Sequence, residues 1–274
     1  MSETRTGLVL VRGAGDLATG VILRLVRSGF RVVALEAAAP TAIRRTVAFS
    51  EAVYEGEALV EGLAARLAAS ADEAKRLASG GLVPVLVDPR CESLRELRPM
   101  ALVDAIMAKR NLGTNAGMAG IVVALGPGFS APSDAHAVIE TNRGHYLGRA
   151  ILAGAAEPDT GVPGIIGGRG SERVVHAPAS GLVEVLRAIG DSVSKEEPIL
   201  AIRTADDERL VVASPLDGTL RGLIRPGIEA RAGLKIADVD PRGEKAHCFS
   251  VSDKARAVAG GALEAILSLG GRPD

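Results

Sequence analysis

The chain has 274 residues, enough for one large domain or two modest ones. Its 32 Lys+Arg against 33 Asp+Glu leave a formal charge of -1, which removes the overall basic bias that favours nucleic acid. Hydrophobic residues at 47% support a core, whereas 2% aromatic residues and no Trp argue against stacking on single-stranded nucleic acid. Cys91 and Cys248 form neither a short-range metal pattern nor a disulfide framework, so no metal site is expected. Met1-Ser2-Glu3-Thr4-Arg5 does not read as a signal peptide, and no apolar run is long enough to span a bilayer. The expectation is a soluble cytoplasmic protein without a membrane or nucleic-acid partner.

In chain order, Leu8-Val9-Leu10-Val11 reads as a buried strand that runs into Arg12-Gly13-Ala14-Gly15-Asp16 and opens a helix. Gly13 allows a tight turn, Gly15 lets backbone amides approach a phosphate, and Ala18 lets the helix lie close on the strand. The helix N-terminus would favour an anion at that turn. Leu17, Val21, Ile22, Leu25 and Val26 keep helical periodicity, and Gly29 stops the helix. A second strand, Arg31–Leu35, ends in Glu36, about 20 positions past the turn, where a ribose-binding carboxylate sits in dinucleotide folds. The pattern predicts an α/β, Rossmann-like parallel-sheet domain. Asp16 works against it: a carboxylate there repels an anion or simply caps the helix, and Arg12 is the nearest group to offset it.

Pro40 fits the first turn of a helix, which would place Arg44 and Arg45 near the second strand's carboxyl end. They read as phosphate or carboxylate ligands, or as a solvated basic turn. Leu59, Leu63 and Leu67, spaced by four, predict a helix from Glu57 to Leu67. Ser70-Ala71-Asp72-Glu73 has the form of a capping box for a helix ended by Gly80-Gly81. Strands are predicted at 82–88, 101–106, 121–125 and 137–141, with Pro84 marking an edge position or a strand start.

Polar residues cluster where these strands would end: Asp88; Asp104 with Lys109, Arg110 and Asn111; Gly126 and Gly128; Glu140 with Arg143 and His145. Ligands of open parallel sheets bind outside the carboxyl ends of strands, so these loops are expected to converge with Gly13 and Gly15 on one crevice. Each has a plainer reading: an ion pair of Asp104 with Lys109 and Arg110, a polar loop histidine at 145, turn chemistry at Gly126-Pro127-Gly128.

Residues 157–173 have linker composition. An internal repeat follows: Pro178-Ala179-Ser180-Gly181 with Gly190, and Pro215-Leu216-Asp217-Gly218 with Gly227 at the same spacing, each followed by a β-rich run. The first copy resembles the barrel-sandwich module of biotinyl and lipoyl carriers. The hairpin that bears the modified lysine in such carriers reads Thr204-Ala205-Asp206-Asp207-Glu208-Arg209 here, so no biotin or lipoate is expected and the module reads as a docking or shielding domain. His247-Cys248 reads as a small buried thiol in preference to a metal or sulfur-handling pair. Ser252 caps a last helix to Leu269 whose Ala257, Gly260, Gly261 and Ala262 form a small-residue face that packs back on the first domain. The expected boundaries are 1–165, 170–243 and 246–274.

With these residues assembled, the chain resembles the YqeB family of selenium-dependent molybdenum hydroxylase system proteins. The matching stretches are Arg12–Gly20, Pro40–Val53, Ala108–Thr114, Leu125–Phe129, Ile139–Thr141 with Arg143-Gly144-His145, and Ser252–Ala257. The first stretch is also similar to the nucleotide-binding part of XdhC-type accessory proteins. The resemblance implies an accessory role in maturing a molybdenum hydroxylase, the target enzyme, with a nucleotide, a molybdopterin dinucleotide or a labile selenium intermediate bound in the crevice. Arg44, Arg45, Lys109 and Arg110 would then hold phosphates and Glu36 a ribose. Arg12, Gly13, Gly15, Asp16, Asn111, Gly126 and Gly128 complete the candidate cofactor-binding set. The resemblance carries no catalytic assignment, and whether the protein is an enzyme is left open.

Two other readings stand beside this one. An NAD(P)-dependent oxidoreductase would use the same turn and Glu36 with a proton donor, for which His145 is the best candidate and Asp104 and Lys109 the others. A ligand-free scaffold with a degenerate nucleotide fold is the reading Asp16 favours. A homo-oligomer is compatible with each.

Overall fold

The computed structural model describes residues 7–162 and 164–273. Residues 1–5, read above as no signal peptide, and Pro163 of the expected linker lie outside the described residues. The chain forms two compact units. The first comprises the chain up to Pro40, Ala48–Thr160 and the chain from Val251 onward; the second comprises Thr41–Val47 and Gly161–Ser250.

In the first unit, β1 (Leu8–Arg12) leads into α1 (Asp16–Arg27) and β2 (Arg31–Glu36). A short α2 (Ala52–Glu55) precedes the hairpin β3 (Glu57–Val60) and β4 (Leu63–Ala68), and α3 (Ala71–Ser79) leads to β5 (Val83–Val87). Then come α4 (Leu94–Leu97), β6 (Ala101–Asp104), β7 (Ile121–Leu125), β8 (Ser130–Ala131), β9 (Ala137–Ile139), β10 (Ala150–Ile151) and β11 (Gly154–Ala155). The unit closes with α5 (Asp253–Ser268). Nine strands form one sheet in the order β10-β9-β7-β6-β1-β2-β5-β4-β3, parallel from β9 to β4 with an antiparallel strand at each edge. The chain therefore places β2 beside β1, goes to the edge with β3, returns inward through β4 and β5, and continues outward from β6 on the other side of β1.

Strands buried on both faces explain the unbroken apolar runs, such as Leu8–Val11 of β1, a strand buried at all five residues. Alternation sends Leu8 and Leu10 into a core shared with Ala71, Ala74 and Ala78 of α3 and Leu97 of α4. Val9 and Val11 point to the opposite face. There the small residues of α5 allow contact at backbone distance: a Cβ on Gly261 would lie 1.9 Å from the Gly148 carbonyl oxygen, and one on Gly20 of α1 would lie 2.9 Å from the Ala255 Cβ. Ser252 caps α5 by accepting the Ala255 amide at 3.1 Å, and Ser70 caps α3 by accepting the Glu73 amide at 3.2 Å.

Three expectations change. Residues 57–67 form a hairpin and not a helix, because Glu61 and Gly62 adopt positive φ (46° and 81°) and make a two-residue turn that pairs Val60 with Leu63. Pro40 opens no helix; Thr41–Val47 joins the second unit, where only Arg45–Val47 makes a 3-10 turn. Pro84 sits in an interior strand, tolerated because β5 pairs with β2 only from Val85 onward.

The second unit contains β12 (Val174–His176), β13 (Gly181–Val185), β14 (Ser192–Val193) and β15 (Pro198–Arg203). These are followed by β16 (Arg209–Ala213), β17 (Gly218–Leu223), β18 (Glu229–Ala230) and β19 (Lys235–Asp240). The internal repeat is visible as an exchange: β13 of the first copy pairs with β18 of the second, and β17 of the second pairs with β14 of the first. The two antiparallel sheets, β12-β19-β17-β14 and β16-β15-β13-β18, are related in the same way. Gly181 and Gly218 do equivalent work, since a Cβ would lie 2.2 Å from the Arg203 oxygen and 2.4 Å from the Asp240 oxygen respectively. Between the sheets lies a core that includes Val183, Ile202, Leu220 and Ile236. Ile43 packs on it, and the Leu223 amide donates to the Ile43 carbonyl at 2.8 Å. Residues 246–250, expected with the last helix, belong here too.

Candidate site at the carboxyl ends of the central strands

The strand order reverses between β1 and β6, and the residues after their carboxyl ends face one another there. Gly13 takes φ +97° and its amide donates to the Leu35 carbonyl at 2.7 Å; a Cβ would lie 3.0 Å from the Ala105 oxygen. Glycine is required at 13 by the fold itself. Gly15 differs. Its backbone is extended (φ -66°, ψ -176°), and a Cβ there would meet nothing within 4 Å. Gly15, and not Asp16, is the N-cap of α1; Asp16 is the first helical residue, where its charge suits the helix dipole.

The turn is tied down on its carbonyl side. The Ala14 carbonyl accepts the Thr19 hydroxyl at 3.1 Å and the Ser50 amide at 2.9 Å. On the amide side, Ala14 donates to Glu36 Oε2 at 2.7 Å, and Ala37 donates to Oε1 at 2.7 Å. Burial pushes the Glu36 carboxyl above its ordinary value, against the opposing pull of the two amides. The first-turn amides of α1 have no carbonyl within the helix to donate to.

Arg12 does not reach for a ligand. It is 4% exposed, and its guanidinium donates to Asp104 (3.3 Å), the Thr114 hydroxyl, and the carbonyls of Pro89 (3.2 Å) and Leu112 (3.4 Å). Thr114 in turn donates to Asp104 at 2.5 Å. Asp104 thus pairs with Arg12 and not with Lys109 or Arg110. Lys109, exposed, pairs with Asp159 at 2.8 Å. Arg110 is exposed and has no ion-pair partner among the described residues. The Asn111 side-chain Oδ1 accepts the Gly113 and Thr114 amides, each at 2.8 Å, which makes Asn111 the organiser of the loop that delivers Thr114.

Gly128 lets that loop close, since a Cβ there would lie 2.6 Å from the Arg110 Cα; Gly126 meets Thr141 in the same manner. Asp88 holds the loop after β5. Burial raises its pKa, but the Ser93 hydroxyl and amide and the Glu92 amide outweigh this and lower it.

The structure brings Arg12, Gly13, Gly15, Asp16, Glu36, Asp104 and the 109–114 loop to this end of the sheet. His145, in the loop after β9, is exposed and meets the Tyr146 ring edge-on at 5.0 Å. Arg44 and Arg45 are bound within the second unit. Arg44 donates to the His247 and Ser250 carbonyls, each at 3.1 Å, and Arg45 donates to the Leu223 carbonyl at 2.8 Å. Their guanidinium groups cross-link chain segments.

Thr114, read in the sequence only within the Ala108–Thr114 stretch, and Cys91, read only as outside any metal or disulfide pattern, are not among the candidate site residues named there. The Asn111-Leu112-Gly113-Thr114 turn chemistry was the available signal for Thr114; Cys91, at φ +61°, had none. Burial pushes the Cys91 thiol up to about 11, with Arg12 drawing it down and Asp88 and Asp104 adding to the rise, so it is not a nucleophile at neutral pH. Among the described residues no group of three or more His, Cys, Asp or Glu side chains is placed to hold a metal ion. Among them, too, no helix is long and apolar enough to cross a membrane.

No family model matches the chain. Among solved structures, the product-bound ectoine utilization protein EutE (DoeB) from Ruegeria pomeroyi is 15% identical with a TM-score of 0.23, covering 86% of this chain and 56% of that one. A succinylglutamatedesuccinylase/aspartoacylase from Rhodobacter sphaeroides is 13% identical with a TM-score of 0.30, covering 86% and 85%. Overlaps of that quality do not transfer a site. By sequence, the chain is 52% identical over 262 residues to the Escherichia coli (strain K12) protein named Uncharacterized protein YqeB. That match covers 96% of this chain but 48% of the relative, so the chain spans about half the relative's length. The similarity to that protein is sustained along nearly the whole of this chain.

Proposed function

We propose that the first unit is a Rossmann-like domain that binds a nucleotide or a molybdopterin dinucleotide at the turn Gly13–Gly15. In this reading the protein serves as an accessory factor in maturing a selenium-dependent molybdenum hydroxylase. The observation that carries the binding reading is Gly15. The fold does not ask for glycine there, either by φ or by space, and the position caps a helix whose first amides lack helical partners. A helix N-cap with open space beside it, at the point where a parallel sheet reverses its strand order, suits a pyrophosphate.

Arg110 is the cation that supports the phosphates in this reading, replacing the larger set expected from the sequence. Glu36, with each oxygen accepting one amide, retains a lone pair on each for ribose hydroxyls. The second unit, with its barrel-sandwich-like pairing of two repeats and no lysine in the 204–208 turn, serves as the docking module for the target enzyme.

The test is native mass spectrometry of freshly purified protein, followed by titration with a pterin dinucleotide, CTP, ATP and NAD. A retained cytidine or pterin compound, with affinity lost in a folded Gly15→Val variant, is the expected result. Binding of NAD alone would overturn the reading, as would affinity that survives Gly15→Val. A scaffold is the second reading, favoured by the Ala14 amide and the Arg12 guanidinium both being already bonded. It predicts no binding of any of the four compounds.

A further inference from the structure

The sheet of the first unit borders a cavity at the end opposite Gly13. Leu8 and Arg31 open β1 and β2, and Pro99 and Gly120 stand just before β6 and β7. With α3, α4 and the 3-10 turn Ala116–Met118 they bound a cavity of about 990 Å³. That is the upper end of the size range of small-molecule sites, about 300–1,000 Å³.

Its lining divides by chemistry. Leu94, Leu97 and Met118 supply apolar wall. Arg31, Lys75, Arg95 and Arg98 supply four cations against one acid, Glu96. On a chain whose formal charge is -1, this is a local concentration of positive charge, and at the mouth of a low-dielectric hollow it is focused.

Lys75 leans on the exposed Asp72 at 3.4 Å, and Arg31 reaches the Ser79 hydroxyl at 3.5 Å. Arg95 is exposed and has no ion-pair partner among the described residues. Arg98 sits at the C-cap of α4 with φ +46°, a left-handed position that favours glycine or asparagine. A long cationic side chain is kept there at a conformational cost and lines the cavity, and backbone strain of this kind concentrates at ligand-binding sites.

We propose that this cavity is a binding site for a small amphipathic organic anion. Its carboxylate or phosphate head is met by Arg95, Arg98 and Lys75, and its apolar body lies against Leu94, Leu97 and Met118. Guanidinium forks suit either head group. The site is separate from the strand-end crevice: Leu8 and Arg12, the two ends of β1, mark one and the other.

The test uses the full chain and the fluorescent probe 8-anilinonaphthalene-1-sulfonate, whose sulfonate stands in for the head group. The expected result is saturable binding at one site, displaced by hexanoate or hexyl phosphate but not by hexanol. Hexanoate or hexyl phosphate as the better competitor identifies the head group. The Lys75→Glu/Arg95→Glu double variant should weaken binding at least tenfold, whereas Lys195→Glu, a single charge reversal in the second unit, should leave it unaltered. In parallel, amide chemical shifts of wild-type protein should move at Gly117–Gly120 on adding hexanoate, a readout that needs no variant to fold. Displacement by hexanol as effective as by the anions, affinity unchanged in the double variant, or shifts confined to other residues would each overturn the proposal.

Discussion

Arg12 and Asp104 close neighbouring parallel strands, and their side chains meet at 3.3 Å where the sheet reverses its order. They are 4% and 2% exposed, and Thr114 bonds to both. The residue just before the Gly13–Gly15 turn thus spends its charge inside the protein, joining the loops after β5 and β6 to the end of β1. Charges withdrawn from water this far are tolerated only while each keeps its partner. Asp104→Ala is therefore expected to cost about 3–5 kcal/mol, by leaving Arg12 buried and uncompensated. The double variant Arg12→Met/Asp104→Leu should recover much of that loss. Denaturant unfolding of the singles and the double measures the coupling, and strictly additive losses would mean the pair is not a unit.

Gly13 and Gly15 separate fold from ligand. Gly13→Ala places a Cβ 3.0 Å from the Ala105 oxygen at φ +97°, and a loss of roughly 1–3 kcal/mol is expected from strain and overpacking. Gly15→Ala enters open space with an allowed φ and should lower the unfolding free energy by no more than about 1 kcal/mol, through the poorer N-cap. If the crevice binds a pyrophosphate, Gly15→Ala nonetheless weakens the nucleotide titration. Equal stability losses in the two variants would show that the open side of Gly15 is not open.

Much of this was legible beforehand, and for physical reasons. Strands that are apolar on both faces, such as 8–11 and 121–125, have one solution, a covered parallel sheet, and they were read correctly. The caps Ser70 and Ser252 are local chemistry and were equally plain. The failures lie where two periods coincide or where partners are distant in sequence. Leu59, Leu63 and Leu67 are four apart, which suits a helix, but Glu61-Gly62 between them is a hairpin turn of the kind that overrides periodicity. Arg44 and Arg45 looked like free cations because the carbonyls that bind them lie some 180–200 residues later in the chain. Asp104 sat close to Lys109 and Arg110 in sequence, yet its partner is Arg12, 92 positions away.

The α5 glycines give a matched pair within one helix. Gly261→Ala drives a Cβ to 1.9 Å from the Gly148 oxygen, a backbone atom that cannot turn aside, whereas Gly260→Ala meets nothing within 4 Å. The first is expected to cost several kcal/mol, at or beyond the upper end of the usual overpacking penalty of about 1–3 kcal/mol. The second should stabilise by roughly 0.5–1 kcal/mol through helix propensity alone. Thermal melts of the two variants check both signs, and a neutral Gly261→Ala would mean that α5 does not press on the Gly148 turn.

Glu36 makes the turn sensitive to pH in a direction that can be worked out. Burial raises its pKa, so the folded chain holds the proton to higher pH than the unfolded chain does. Its protonation therefore adds stability that is complete below the unfolded value of about 4.3 and is lost as pH rises through the folded value. Glu36→Gln removes that pH-dependent part and adds a constant cost, because the amide group of Gln cannot accept from both Ala14 and Ala37. The stability of wild type minus that of Glu36→Gln should accordingly shrink as pH rises from about 4 to about 7. The Ala14 and Ala37 amide shifts should titrate with a midpoint above about 4.3. A pyrophosphate bound at the turn brings negative charge toward the same carboxyl and should move that midpoint higher still, so ligand binding near it should take up protons. A difference that grows with pH would reverse the assigned shift and, with it, the coupling between the turn and Glu36.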